Sequence, residues 1–166
     1  PIFMHLVSKN DEEVKTAIDQ CAATGYEALI LSFGSHLNME DSSAENIRRW
    51  KQLADYAHNK KINIGGYSLF SSRRISDEDD VINPKTGKPG GAFFGNAPCF
   101  GSKWGLAYRD KIKYFFSQTG FNIWENDGPY PGDVCASTTH PGHNGLDDSQ
   151  WRQMEIQKDI YHWLNE

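Results

Sequence analysis

An α/β fold of parallel strands, half of a (β/α)8 barrel, is predicted by three features of this sequence. Strand-like and helix-like patterns alternate four times in the order βαβαβαβα, which implies parallel strands joined by right-handed crossovers. The first strand-like run leads into "VSKNDEEV" rather than the G-x-G-x-x-G that a dinucleotide-binding open sheet carries at that turn. The two long, irregular loops follow the third and fourth strands, whereas the helix-to-strand turns are short. That asymmetry is typical of barrels, whose functional loops follow the C-terminal strand ends. Complete TIM-type barrels need about 250 residues. The 166 residues here are therefore expected to form one (βα)4 segment, strands 1 to 4 with their helices, of a longer chain.

Each element has its own signal. Strands are expected near 2–8 ("IFMHLVS"), 28–33 ("ALILSF"), 62–69 ("INIGGYSL") and 121–127 ("FNIWEND"). The first helix starts where Asn10 or Asp11 can cap it. It carries acids in its first turn, presents Val14, Ile18 and Cys21 on one face, and stops at Gly25. The second, in "SSAENIRRWKQLADYAHNKK", aligns Ile47, Trp50, Leu53, Ala54 and Ala57 and ends in lysines, which suit the negative end of a helix dipole. "KWGLAYRDKIKYFFSQTG" forms the third, ending at Gly120. "DDSQWRQMEIQKDIYHWLNE" forms the fourth, with Asp147 or Asp148 at its start.

Composition narrows the function. The 38% hydrophobic and 23% charged content describes a globular chain, and the net charge of -5 leaves no basic footprint for nucleic acid. The longest apolar run is far too short to cross a bilayer, so no membrane partner is expected. The 13% aromatic content suits stacking on sugar rings as well as core packing. Cys21, Cys99 and Cys135 are widely spaced, with no CxxC pair, so neither a disulfide framework nor a zinc site is expected. The chain opens on Pro1 without a signal peptide, as a processed or truncated piece would.

The residues suited to chemistry gather after the strands. In "FNIWENDGPYPGD" the fourth strand ends in acids, a glycine and prolines. Residues two apart on a strand share a face, so Ile123, Glu125 and Asp127 point one way and Trp124 and Asn126 the other. Their Cβ atoms place Glu125 and Asp127 roughly 6–7 Å apart. Two carboxylates at a barrel mouth suit glycoside hydrolysis, which divides nucleophile and proton donor between acids. Because both lie on one strand, the proton donor is expected from another. Asp-Gly and proline also form ordinary turns.

Other candidates for substrate contact are Ser35 and His36 after the second strand, Tyr67 on the third, and Trp124 and Asn126 on the fourth. Trp104 follows the Gly-rich loop, and Tyr130, Asp133, His140 and His143 follow the fourth strand. The Gly-rich loop also carries Phe93, Phe94 and Phe100, as a sugar platform or as packing. His140 and His143 lie i, i+3 on a loop; hydrogen bonding to sugar hydroxyls is the expected role, and metal binding with Asp127 or Asp133 the alternative. The acids of Asp77–Asp80 are expected on a solvated loop.

"GFNIWENDGPYPGD" and "HPGHNGLDDSQWRQ" together resemble the catalytic barrel of the α-galactosidase-like (clan D type) retaining glycoside hydrolases. The likeness is strongest to large polysaccharide-utilisation proteins of gut and marine bacteria. It covers all four units. It implies a glycosidase acting on α-linked galactose-type sugars, secreted or periplasmic, with no cofactor. It also implies a nucleophile at Asp127 and an acid/base on a later strand, beyond Glu166. The clan commonly carries a lysine two residues before its nucleophile, where this chain has Glu125. The segment alone is expected to be incomplete, needing the other half of the barrel or a second copy. Alternatives are a non-catalytic carbohydrate-binding half barrel and a metal-dependent hydrolase using His140, His143 and an aspartate.

Overall fold

The computed structural model describes residues 1–90, 93, 95–127 and 132–166. Among these the order is β1 (Phe3–Leu6), α1 (Asp11–Thr24), β2 (Ala28–Leu31), α2 (Ala44–Asn59), β3 (Asn63–Leu69), α3 (Lys103–Thr119), β4 (Ile123–Asp127) and α4 (Leu146–Leu164). The strands form one sheet in the order β1-β2-β3-β4. The parallel ladder runs Phe3 to Leu6 against Ala28 to Leu31, and Ala28 to Leu31 against Asn63 to Gly66. The chain is thus the parallel (βα)4 segment expected, half of a (β/α)8 barrel. Its contacts divide it into two compact units, Pro1–Ser68 with Lys111–Glu125, and Leu69–Asp110 with Asn126–Glu166. No described helix is long and apolar enough to cross a membrane.

In the first unit the helices form as their caps dictate. The Asn10 side chain accepts from the Glu13 amide, and Gly25 closes α1 in the left-handed region (φ 84°), its N–H donating to the Cys21 carbonyl. A side chain at that φ would be strained, which is why glycine stands there. Ser43 caps α2. The apolar stripes of these helices, Val14, Ile18 and Cys21 with Trp50, Leu53, Ala54 and Ala57, are buried together with Leu29, Leu31 and Ile64.

The other face of the sheet is the one that positions a site. His5, Ile30 and Gly65 are in register, so their side-chain directions agree. Across a flat sheet β1 and β4 would lie roughly 14 Å apart, three strand spacings. Yet His5 Nε2 and Glu125 Oε2 are 2.8 Å apart. The sheet is therefore strongly curled here, with both side chains on its concave face. Gly65 adds no side chain to that row; a Cβ there would come within 2.7 Å of Ile123 Cβ. Beside the row, Phe3 on edge strand β1 is 47% exposed.

The second unit is organised by loops rather than by a sheet. Phe70 stacks on Phe100 at 3.6 Å between ring centroids, with Tyr108 set edge-on to both. Val81, Ala97, Cys99 and Cys135 form a second buried cluster. The buried Gln153 of α4 ties the two long loops together. Its Oε1 accepts from the Phe100 amide (3.1 Å), and its Nε2 donates to the Asp133 carbonyl (2.8 Å). Replacing Gln153 by Leu strands both backbone groups, each at a cost of about 1–3 kcal/mol. The variant is expected to unfold at clearly lower urea concentration; an unchanged midpoint would show that the bridge carries no stability.

Candidate functional site

On β4, Glu125 and Trp124 point to opposite faces. Glu125 points onto the concave face, held by His5. Asp127, two residues on, is exposed, and its carbonyl accepts from the Phe70 amide at 3.2 Å. Trp124 points to the other side, where its indole N–H donates to Ser68 Oγ at 3.2 Å. The Asn126 amide lies 3.1 Å from the Tyr161 hydroxyl of α4. Of the loop that follows, Tyr130 lies outside the described residues, as does Phe94 of the preceding loop. Asp133 accepts from the Phe93 amide at 3.3 Å.

Three candidates near the second and third strands separate into different jobs. Tyr67 sets its ring edge-on to Phe33 at 5.9 Å. Ser35 knots the β1 and β2 ends together, donating to the Leu6 carbonyl (3.1 Å) and accepting from the Ser8 amide (3.3 Å). His36 corrects the expectation of a sugar ligand. Its Nδ1 meets the Ser8 carbonyl at 2.9 Å, its Nε2 meets Asp11 at 2.8 Å, and its ring packs against Trp50. Both ring nitrogens are engaged, so this histidine docks the β2 loop on the start of α1.

Asp11 also receives Arg49 Nε at 2.8 Å. Burial alone raises the Asp11 pKa, but the hydrogen bonds from Arg49 and His36 outweigh it and hold the carboxyl below its usual range. A group depressed in this way stabilises the fold above its unfolded pKa of about 3.9 and loses that contribution as pH falls through the folded value. Asp11→Asn is thus expected to cost about 1–2 kcal/mol at neutral pH. The deficit should close on acidification below about pH 4. Urea midpoints at several pH values check this; a deficit independent of pH would refute the assignment.

In the second unit, Trp104 stacks on Tyr108 (5.2 Å), and the Arg73 guanidinium lies 5.0 Å from its ring. It borders a cleft of about 670 Å³ lined by Asp77, Glu78, Asp79, Lys103 and His140. The acidic run beside it is not simply solvated, contrary to expectation. Asp79 accepts from the Trp104 amide at the start of α3 (3.0 Å). Asp80 is fully buried, accepts from the Ile75 amide at 2.9 Å, and lies 3.6 Å from Arg74. Phe100 is core packing, not a sugar platform. Asp148, as expected, serves the start of α4: its carboxylate accepts from the Asn144 and Gly145 amides, and those bonds lower its pKa.

The largest departure concerns His140 and His143. Both are buried, and neither meets Asp127 or Asp133 as a metal partner. Instead they converge with Cys99 and Cys135, their four ligand atoms all within 4.8 Å of one another. His143 Nε2 is 3.4 Å from Cys99 Sγ, His140 Nδ1 is 3.5 Å from Cys135 Sγ, and the two imidazole nitrogens are 3.3 Å apart. Each sulfur acts on the other: the neighbouring Cys135, with burial, raises the Cys99 pKa, and the neighbouring Cys99 lowers that of Cys135. Burial works against charging His140, but its hydrogen bond and charge interaction with Cys135 win, and its pKa is raised. The sequence hinted at this only through C-x4-H-x2-H after β4; the fourth member, Cys99, comes from a different loop.

No protein-family model matches the chain, and no curated protein matches it. Solved structures do. The α-N-acetylgalactosaminidase NagBb from Bifidobacterium bifidum superposes with a TM-score of 0.60 at 12% identity, over 99% of this chain and 32% of its own. The cycloalternan-forming enzyme of Listeria monocytogenes, solved with a pentasaccharide substrate, gives 0.55 at 12% identity, over 98% and 20%. A hypothetical protein from Ruminiclostridium thermocellum gives 0.53 at 12% identity, over 99% and 90%. At such identities the likeness is one of fold. The chain spans about a third or a fifth of the two named enzymes.

Proposed function

We propose that this chain is the nucleophile-bearing half of a retaining glycoside hydrolase barrel acting on α-linked galactose-type sugars. The observation that carries the reading is the end of β4, where Glu125 faces the concave side of a curled parallel sheet and Asp127 follows at the strand end. Functional groups in barrels collect at that end. In this reading Asp127 attacks the anomeric carbon, the glycosidic bond breaks, and the leaving oxygen takes a proton from an acid/base on a later strand. Water then hydrolyses the glycosyl ester. Glu125, anchored by His5, lines the floor of the site as a second negative charge. The fold shared with two carbohydrate-active enzymes supports the reading. A secreted or periplasmic location is part of the proposal.

The Trp104 cleft favours a second reading, a non-catalytic carbohydrate-binding half barrel, since an indole beside carboxylates suits sugar hydroxyls and ring faces. A metal-dependent hydrolase is disfavoured, because His140 and His143 meet two cysteines and no aspartate. Turnover of aryl α-galactosides separates the two surviving readings. The full gene product is expected to release the aryl group with retention at the anomeric carbon. The 166-residue segment alone should be inactive, lacking an acid/base and the half or second copy that covers its inner face. Sugar binding without turnover by the full gene product would favour the second reading, and an active monomer of the segment would sink the half-barrel proposal.

A further inference from the structure

The four side chains gathered between the two long loops have the geometry of a closed metal centre. Zinc lies about 2.3 Å from thiolate sulfur and about 2.0–2.1 Å from imidazole nitrogen. A tetrahedron with those radii has edges of about 3.3 Å between nitrogens and about 3.5 Å between sulfur and nitrogen. The observed edges are 3.3 Å for His140–His143, 3.4 Å for Cys99–His143 and 3.5 Å for Cys135–His140.

The outward-facing ring nitrogens reinforce this geometry. His140 Nε2 lies 2.8 Å from the Glu78 carbonyl and His143 Nδ1 lies 3.2 Å from that of Gly145. A carbonyl only accepts, so these outer nitrogens donate to it, and the inner nitrogens, 3.3 Å apart, are the ones turned toward the two sulfurs. Cys135 Sγ receives the Ile82 backbone N–H at 3.4 Å. Such outer contacts orient metal ligands and spread thiolate charge.

Close backbone approach completes the cradle. The Gly142 amide donates to the Gly101 carbonyl at 2.8 Å. A Cβ on Gly101 would fall 2.6 Å from His143 Cδ2, and one on Gly142 would fall 2.5 Å from Gly101 Cα. Glycine at both positions lets the two loops close around the cluster.

We propose that Cys99, Cys135, His140 and His143 bind one zinc ion, which pins the loop after β3 to the loop after β4. Four protein ligands and full burial leave no open position for water, so the centre is structural. Sulfur and imidazole donors in a tetrahedron select zinc over magnesium or calcium. A two-iron cluster of Cys2His2 type puts its thiolates on one iron and its imidazoles on the other. Here each cysteine sits a single edge from a histidine, which fits one ion. The site stands independently of any glycosidase activity.

Metal analysis of the full gene product tests the proposal without reference to turnover. The protein, purified under reducing conditions and equilibrated with zinc, is expected to hold one ion per chain. Exchange with cobalt(II) should produce the intense visible bands of a tetrahedral ion with thiolate charge transfer in the near ultraviolet. Cys135→Ser should lose both signals, while Cys21→Ser, which alters only the remaining cysteine, should keep them. If Cys135→Ser does not fold, the wild-type cobalt spectrum and the Cys21→Ser control still decide. Failure of the wild type to retain zinc, a pale octahedral cobalt spectrum, full zinc in folded Cys135→Ser, or a Cys99–Cys135 disulfide in the reduced preparation would each overturn it.

Discussion

With Asp127 as the proposed nucleophile, Asp127→Asn is expected to lower turnover of an aryl α-galactoside by the full gene product by roughly 10⁴–10⁶-fold, the scale on which removing a covalent nucleophile acts. The amide keeps nearly the same volume but cannot form the glycosyl ester, so sugar binding should survive while the chemical step fails. In Asp127→Gly, where the side chain is gone, added azide should restore part of the turnover and release the inverted glycosyl azide, because a small anion can fill the vacated position. Glu125→Gln separates the two acids. Glu125 is tied to His5 at 2.8 Å on the concave face, so its loss should disturb positioning and charge without removing the ester-forming atom. Azide rescue confined to Glu125→Gly would transfer the nucleophile to that residue. Full activity in both amide variants would remove the β4 acids from the mechanism.

Removing zinc is the second large effect expected. A ligand that binds only the folded state at a thousand times its Kd adds about 4 kcal/mol of stability. For a domain of this size that corresponds to about 8–16 °C in Tm. The loss should be local before it is global, because the ligands lie on the loop after β3 and on the loop after β4. Hydrogen exchange should quicken first around Cys99 to Ser102 and Cys135 to Gly145. The packing of α1 and α2 around Trp50 should stay protected, since its caps and apolar stripe owe nothing to the metal. Identical melting curves with and without chelator would exclude a stabilising ion.

Both predictions bear on one physical question, how the long loops of half a barrel hold their shape. The second unit contains aromatic stacking around Phe70 and Phe100, but its α4 face turns Ser149, Gln153 and Gln157 inward. Those polar side chains give direction more than burial energy, satisfying loop amides and carbonyls such as Phe100 N and Asp133 O. A metal centre adds strong, directional bonds where apolar area is limited.

The sequence by itself determined the order of elements and the facing of β4. Alternating apolar runs, the Asn10 cap, the Gly25 stop and the two-residue period that places Glu125 with Asp127 all act between near neighbours in the chain. Such signals are local, so one sequence carries them in full. Only the tertiary structure decided what became of His36, Asp80 and the cysteines. His36 meets Asp11 across 25 residues. Cys99 meets His143 across 44, a separation that matches no ligand spacing a sequence could advertise. Their roles depend on which loops the packing within each unit brings together, and spacing along the chain does not encode proximity in space.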